Sequence, residues 1–346
     1  MIGGVTRTRL LAALVVLGGG LAMMLLGAAP RAMQPRQDRS AWRWYKGNTH
    51  THTLESDGDS SPEDVTRWYK EHGYQFLVLS DHNVLTAIDT LSRTFAQPES
   101  FLLIRGEEVT DRVDGKPLHL NGLNLPSLVQ PQGGPTMAAA LQRNIDAIRT
   151  ATGVPHVNHP NFGWALTPSD LASAERYRLF EIHSGHPAVN TLGGGDAPSM
   201  EAVWDRMLTA GKRVYGIAVD DAHYFTRPWD ATAPRPGYGW VVVRAPRLEP
   251  AAIVQSLEEG EFYASSGIDL AAYNADAERI TLRVRPLGDT RYRTRLIGPG
   301  GATLDTADGE TASFALAGRR GYARVVVTDS NGHTAWGQPV FLGAAR

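Results

Sequence analysis

Short apolar runs alternate with stretches of helical periodicity from residue 46 to about residue 245. Apolar runs bounded by turn residues are typical of buried strands, and their alternation with helices is typical of βα units around a parallel sheet or barrel. The pattern predicts seven strands, at residues 47–52, 76–80, 101–109, 119–125, 155–158, 179–183 and 214–220. We therefore expect an α/β domain over residues 46–268.

The helices between these strands carry their own start and stop signals. In residues 61–73, Ser61 can cap a helix, Pro62 fits its first position and Gly73 can end it. Further helices are predicted at residues 136–150, 199–210 and 250–259.

The pattern changes beyond about residue 271. Residues 280–285, 292–296 and 323–328 alternate apolar and polar side chains, with glycine-rich turns between them. Such alternation predicts a small antiparallel β module over residues 271–346. Because the module has no cluster of acids or histidines, we expect a structural or docking role. The rival expectation is that it shapes the substrate pocket from the side.

The first 36 residues differ from the rest of the chain. Arg7 and Arg9 precede an apolar stretch at residues 10–29, and a polar segment follows. This order is typical of a cleaved export signal, and the stretch is also long enough to cross a bilayer as an uncleaved anchor. Both alternatives predict an exported protein, periplasmic or extracellular, and the second predicts membrane attachment through the N-terminus.

Composition narrows the chemistry that the chain can perform. Hydrophobic residues make up 42% of the 346 positions, which is enough for a packed core, and the net charge is only −2. No run of Lys or Arg indicates a nucleic-acid groove, so we expect a small-molecule substrate. The chain has no cysteine, which excludes disulfides, zinc–thiolate sites and a cysteine nucleophile. Any metal must be held by imidazoles and carboxylates, which suit Zn, Mn or Fe.

Histidines and carboxylates follow nearly every predicted strand. His50 and His52 lie two residues apart, so their side chains share one face of a strand. Acids and histidines recur at the later strand ends, at Asp57, His82, Glu107, Glu108, His119, His156, His159, Glu181, His183, Asp221 and His223. The carboxyl ends of barrel strands converge at one mouth, so these positions predict a multinuclear metal site.

The number of candidate ligands indicates more than one ion. A single divalent ion needs three or four ligands, whereas this set offers nine or more. Two or three ions sharing a bridging carboxylate would activate a water for hydrolysis. His72 and His333 are better explained as a helix-end residue and a surface residue, and His156 is a reserve ligand.

Together these motifs resemble the polymerase and histidinol phosphatase (PHP) superfamily. The resemblance covers about residues 46–266 and rests on His50-Thr-His52, Ser56-Asp57-Gly58, Ser80-Asp81-His82, Gly106-Glu-Glu108, His119, His159-Pro160 and Asp221-Ala-His223. It implies a distorted seven-stranded βα barrel with up to three divalent ions. The implied ligands are His50, His52, Asp57, His82, Glu108, His119, His159, Asp221 and His223. The family's Gly-x-Glu pattern selects Glu108 over Glu107.

Within that superfamily, the chain looks most similar to the carbaryl hydrolase-like branch. The likeness rests on segments such as Lys46-Gly-Asn-Thr-His50, His159-Pro-Asn-Phe162 and Glu261-Phe-Tyr-Ala-Ser-Ser266. The branch implies ester or carbamate hydrolysis, and the wider superfamily implies phosphoester hydrolysis. We favour a phosphoesterase. The alternatives are a carboxylic ester or carbamate hydrolase and a non-catalytic metal- or ligand-binding module.

The expected roles follow from this resemblance. His50, His52 and Asp221 would hold one ion, Glu108 would bridge two, and His223 or a carboxylate would pass a proton to the leaving oxygen. Substrate contacts are expected from His183, His186, Tyr224 and Arg227. A phosphoesterase usually needs a cation for the non-bridging oxygens. The candidates are Arg105, Arg112, Lys116, Arg227 and Arg235.

Overall fold

The computed structural model describes residues 1, 3, 39, 41–227 and 230–343. Apart from Met1 and Gly3, the predicted export segment at residues 1–36 lies outside these residues. Arg39–Arg346 form one compact unit. In the described part of the chain, no helix combines the length and the apolar character needed to cross a membrane.

The described residues include six α-helices: α1 (Pro62–Glu71), α2 (Asp89–Phe95), α3 (Met137–Thr150), α4 (Pro168–Ser173), α5 (Met200–Thr209) and α6 (Pro250–Glu259). Ser61 caps α1 as expected, because its side chain accepts a hydrogen bond from the backbone of Asp64. All four predicted helices form. Two short helices, α2 and α4, were not predicted, since seven and six residues show too little periodicity.

Nine strands precede the C-terminal region: β1 (Arg43–Asn48), β2 (Phe76–Leu79), β3 (Leu102–Val113), β4 (Lys116–Leu123), β5 (Val154–Val157), β6 (Leu179–Ser184), β7 (Tyr215–Val219), β8 (Trp240–Ala245) and β9 (Phe262–Ser265). Eight more follow: β10 (Leu270–Ala275), β11 (Arg279–Val284), β12 (Tyr292–Gly298), β13 (Ala302–Asp308), β14 (Thr311–Ala315), β15 (Gly321–Asp329), β16 (Thr334–Gly337) and β17 (Val340–Leu342). Short 3-10 turns lie at Phe162–Trp164 and Pro299–Gly301.

The mixed α/β class is confirmed, but the strands do not form a closed, parallel seven-stranded barrel. The main sheet runs in the order β13-β12-β15-β16-β9-β8-β1-β2-β3-β4-β5-β6-β7 and is open at β7. Strand β4 is antiparallel to both β3 and β5. The loop between β3 and β4 consists of only two residues, Asp114 and Gly115, and both have positive φ. A loop this short can join only antiparallel strands, so β4 runs back along β3.

The C-terminal strands continue the same sheet, since β16 pairs with β9. Strands β10, β11 and β14 form a separate three-stranded sheet. Between β15 and α5, the fully buried guanidinium of Arg324 donates to Asp205 at 2.8 and 2.6 Å and to Glu201 at 2.9 Å. These hydrogen bonds connect strand β15 of the C-terminal region to helix α5. The expected structural role of residues 271–346 stays a prediction.

Candidate metal centre

The backbone brings the ends of the first and the seventh strands together. Beyond β1 and β7, Thr51 and Ala222 form an isolated parallel bridge. The amide of His52 donates to the carbonyl of Ala222 at 2.9 Å, and the amide of Asp221 donates to the carbonyl of His50 at 3.0 Å. Asp221 takes a left-handed conformation, with φ of 50°, which is uncommon for non-glycine residues. His50, His52 and Asp221 are thereby held side by side.

Asp81 organises the loop that carries Asp57. Its buried carboxylate accepts hydrogen bonds from the backbone and hydroxyl of Thr53 at 2.7 and 2.9 Å, and from the Ser56 hydroxyl at 2.7 Å. The hydroxyl of Thr86 adds a further bond at 2.5 Å. Asp81 is saturated by these donors, so it positions the loop and leaves the neighbouring His82 to face the cluster.

The carboxylate of Glu108 lies at the centre of the cluster and is fully buried. Five imidazole nitrogens lie within 3.3 Å of its two oxygens. Oε2 faces His50 Nε2, His52 Nε2 and His82 Nδ1, and Oε1 faces His119 Nδ1 and His159 Nε2. Glu108 Oε2 and His119 Nδ1 nevertheless have no hydrogen-bond partner among the described residues. These nitrogen and oxygen atoms lie close together, yet two of them form no hydrogen bond. Such an arrangement fits atoms that coordinate the same cations.

A second carboxylate, Asp221, completes the centre. Its Oδ1 lies 3.2 Å from both His50 Nε2 and His52 Nε2, and these two nitrogens are 3.2 Å apart. Two imidazole lone pairs cannot face each other at this distance without a proton or a cation between them. The histidine and carboxylate donors therefore fit divalent metal ions.

Asp57 closes the solvent side of the cluster. Its oxygens lie 3.4–3.5 Å from nitrogens of His52, His82 and His223. Across the described residues, four groups can each hold an ion. They are His52-Asp57-His82-His223, His50-His159-Glu181, His50-His52-Asp221 and His82-Glu108-His119. The structure thus brings all nine expected ligands together and adds Glu181.

Glu181 and Asn158 were not among the expected ligands. Glu181 Oε1 lies 2.7 Å from His50 Nδ1, and its Oε2 accepts from the backbone of His159 at 2.7 Å. The amide of Asn158 donates to Glu108 Oε1 at 2.8 Å. These buried residues orient the inner side chains, as outer partners of metal-binding histidines commonly do. The sequence offered one indication of the role of Glu181, which is its position on a strand whose end is rich in candidate ligands. No sequence pattern indicated the role of Asn158.

The charges of the cluster stabilise one another. Burial alone would lower the pKa of His82, but the carboxylates of Glu108 and Asp57 outweigh it and raise the pKa to about 10. The pKa values of His50 and His52 are raised against burial by Asp221 and Glu108. Burial opposes ionisation of the Glu108 and Asp221 carboxyls, yet the surrounding histidines hold both pKa values well below the usual range. His119 differs from these histidines, because burial outweighs the carboxylate of Glu108 and lowers its pKa.

Glu107 lies on the other face of β3. Its Oε1 accepts from the backbone of Val129 at 2.7 Å, and burial raises its pKa to about 7. Neighbouring strand residues point to opposite faces, so only Glu108 faces the histidines.

Two cavities open onto the cluster. The inner one, of about 160 Å³, is lined by Glu108, Asp221, several of the histidines, Phe162 and Val189. The outer one, of about 660 Å³, is lined by Tyr224 and Arg227. Asp57, His186 and His223 line both cavities. The guanidinium carbon of Arg227 lies 3.6 Å from the centre of the Tyr224 ring. Three of the four expected substrate contacts therefore line a cavity.

His183 lies elsewhere. A bulge separates it from Glu181 in the pairing with β7, and its ring contacts the Tyr238 carbonyl at 3.0 Å and packs 5.4 Å from Trp336. The register shift explains why a spacing of two residues does not place both side chains in the cluster.

Most of the candidate cations also have other partners. Arg105 pairs with Asp89, Arg112 donates to the carbonyl of Gly115, Lys116 donates to that of Trp164, and Arg235 donates to that of Arg227.

The remaining histidines lie outside the groups above. His156 is buried beneath Glu181, with its Nε2 3.5 Å from Oε1, while His72 contacts the Trp68 carbonyl and His333 pairs with Asp329.

No family model matches the chain. A Haemophilus influenzae 5'-3' exoribonuclease is 27% identical over 190 residues, which cover 50% of this chain and 67% of that protein. Among solved structures, a two-domain Bacteroides vulgatus protein, described as containing a predicted PHP-like metal-dependent phosphoesterase, matches with a TM-score of 0.48 and 15% identity over 87% of this chain and 95% of its own. An amidohydrolase from Chromobacterium violaceum matches with a TM-score of 0.38 and 13% identity, over 55% and 93% of the two chains.

Proposed function

We propose that this chain is a metal-dependent hydrolase of PHP type that acts on phosphoesters. The observation that carries the proposal is the buried Glu108 carboxylate, with five imidazole nitrogens within 3.3 Å, at the floor of a solvent-connected cavity. Concentrating so many ionisable groups in the interior is costly unless they bind a charged group. Perturbed groups in a cleft are typical of catalytic sites.

The residues present would hold two or three divalent ions. His50, His52 and Asp221 would hold one, His82, Glu108 and His119 a second, and Asp57 with His223 would complete a further position. Bound there, such ions would supply an acidified water and would neutralise negative charge on the ester oxygens. Glu181 would fix the His50 ring, because a proton on Nδ1 directed at this carboxylate leaves the Nε2 lone pair facing the cluster.

His186 is placed to assist the leaving group. It belongs to none of the four ligand groups, yet it lies where the inner and outer cavities join. The backbone of Ala188 donates to His186 Nδ1 at 3.1 Å, so the neutral ring carries its proton on Nε2. Burial lowers the pKa of His186, which favours this neutral form. The Nε2–H group can then stabilise charge on the departing ester oxygen by donating a hydrogen bond, whereas transfer of a proton to that oxygen is left to His223 or a carboxylate, as expected.

Two observations support a phosphoester as the substrate. Arg227 presents a cation on the wall of the outer cavity, where it can reach non-bridging oxygens. The Haemophilus influenzae relative is an exoribonuclease, and ribonucleases cleave phosphodiester bonds.

A carboxylic ester or carbamate is the second candidate, as the carbaryl hydrolase-like resemblance implies. Among the described residues that line the two cavities, Arg227 is the only Lys or Arg. The inner cavity also has an apolar wall, formed by Phe162 and Val189. Carboxylic esters and carbamates carry no net charge at the scissile bond, so they need no further Lys or Arg beside Arg227.

The test compares metal-loaded, chelator-treated and Glu108→Gln protein on p-nitrophenyl phosphate, bis-p-nitrophenyl phosphate and p-nitrophenyl acetate. We expect turnover of a phosphate ester that is lost on chelation, restored by metal and absent in Glu108→Gln. Glu107→Gln is the matched control, because that carboxylate faces Val129. Turnover of the acetate alone would favour the second candidate. Metal binding without turnover of any ester would contradict the proposed hydrolase.

A further inference from the structure

Residues 224–227 form one wall of the outer cavity, and their side chains point in two directions. Tyr224 and Arg227 line the cavity, and the guanidinium of Arg227 lies against the Tyr224 ring. Phe225 packs instead against Trp68 of helix α1, with ring centres 6.0 Å apart. No carboxylate among the described residues forms an ion pair with Arg227, so its guanidinium is available to an anionic ligand.

Asp59 holds this segment in place, although it lines neither cavity. Its carboxylate accepts hydrogen bonds from the backbone of Phe225 at 2.8 Å and from the backbone and hydroxyl of Thr226 at 3.3 and 2.9 Å. Its own amide donates to the carbonyl of His223 at 2.8 Å. Burial alone would raise the pKa of Asp59, but the hydrogen bonds to its carboxylate outweigh burial and lower the pKa. Asp59 therefore fixes the backbone on both sides of Tyr224.

Asp59 itself lies on a tightly packed turn. A side chain at Gly58 would lie 2.8 Å from backbone atoms of His52, so only glycine fits this close approach of two backbone segments. Asp57 and Asp59 lie on either side of Gly58. Asp57 faces imidazoles of the cluster, whereas Asp59 faces the backbone of Thr226. One rigid turn thus supports both an expected metal ligand and the wall of the outer cavity.

Arg227 depends on this support for its position. A guanidinium binds phosphate oxygens through a planar fork of N–H groups, so its attraction for an anion falls when the fork is misplaced. We propose that Asp59 is a positioning residue that holds Arg227 for the anionic oxygens of the substrate. Asp59 acts without touching the substrate, because both of its carboxylate oxygens already accept hydrogen bonds from the segment that it holds.

This inference rests on the proposed function, but binding tests it without turnover. The probe is methylphosphonate, an anion that has no ester bond to cleave. Its dissociation constant is measured by calorimetry on metal-loaded full-length protein, for the wild type, Asp59→Ala, Arg227→Met and the double variant. Arg227→Met should weaken binding about tenfold, because a charged hydrogen-bond donor is lost. Asp59→Ala should weaken it about five- to tenfold. The double variant should bind at most about twofold more weakly than Arg227→Met, because Asp59 acts only through Arg227.

Two further variants separate this role from general support of the fold. Asp64→Asn is the matched control for Asp59→Asn, since the Asp64 side chain contacts Ser61 at the start of α1, and it should match the wild type. Metal content is measured in every variant. If Asp59→Ala loses metal, Asp59→Asn, which keeps one acceptor oxygen, replaces it in the comparison. Loss of metal in both Asp59 variants would overturn the proposal, because Asp59 would then act through Asp57.

Equal affinity of the wild type and metal-loaded Asp59→Ala would also overturn the proposal, as would a double variant in which the two losses multiply. If phosphoesters are cleaved, Asp59→Ala should raise KM for p-nitrophenyl phosphate about five- to tenfold and change kcat less than about threefold. A lower kcat with unchanged KM would contradict this role. Coupled losses of methylphosphonate binding without turnover of any ester would contradict the hydrolase, and would leave Asp59 as the positioning residue of an anion-binding site.

Discussion

Replacing Glu181 by glutamine should weaken metal binding, although we assign Glu181 a positioning role. The carboxylate accepts two hydrogen bonds at 2.7 Å, from His50 Nδ1 and from the backbone amide of His159. Both oxygens lie in the fully buried interior. A glutamine has only one oxygen, and its amide group donates, so it can satisfy one of these two donors and not the other.

Each of the two possible orientations of the glutamine amide has a free-energy cost. If the glutamine oxygen stays with His50, the amide of His159 is left buried without an acceptor, at about 1–3 kcal/mol. If the oxygen stays with His159, the glutamine amide faces His50 Nδ1, and the ring proton must move to Nε2. That proton would occupy the lone pair that faces Glu108 and Asp221. Outer partners of metal-binding histidines typically contribute about 10- to 100-fold in metal affinity, equivalent to about 1.4–2.7 kcal/mol.

The assay is a competition between the protein and a chromophoric zinc chelator, which reports the dissociation constant of each bound ion. Glu107→Gln is the matched control, since it makes the same change one residue away from Glu108, on the opposite face of β3, and should alter the affinity by about twofold or less. Thermal unfolding of both variants without metal verifies that they are folded. An affinity change below about threefold in Glu181→Gln, or an equal change in Glu107→Gln, would refute the reasoning.

Three further predictions concern the same network and its support. Glu108→Gln should lose at least one equivalent of metal by elemental analysis, whereas unchanged stoichiometry would contradict its central position. Because His82 has a pKa of about 10 without metal, it is protonated at pH 7, so metal binding must release protons and tighten as pH rises. Calorimetry in two buffers of different ionisation enthalpy measures that release, and equal heats would contradict it. Arg324→Met should lower the free energy of unfolding by about 3–5 kcal/mol, because Asp205 is left buried without its partner, while metal content is kept. Chemical denaturation measures this loss, and adding Asp205→Leu should recover part of it.

Local sequence patterns were enough to predict most of the secondary-structure elements and the residue types of the site. Apolar runs and capping residues located the seven strands and four longer helices to within a few residues, because periodicity and capping are local properties of the chain. The missing cysteines limited the donors to imidazole and carboxylate. The expectation that His50 and His52 share one face of a strand was wrong, because β1 ends at Asn48, and both reach the cluster from the segment beyond it. Glu108 rather than Glu107 faces the histidines because neighbouring residues of β3 point to opposite faces. The export segment at residues 1–36 stays a prediction.

Tertiary structure decided what depends on residues distant in the chain. The antiparallel β4 follows from its pairing with β3 and β5, and the open sheet from the absence of a strand partner for β7 on that edge among the described residues. A bulge against β7 turned His183 away from the cluster, although Glu181 two residues earlier faces it. The contact between Glu181 and His50 joins residues 131 positions apart. No local pattern specifies such a distance, because packing of the whole sheet sets it.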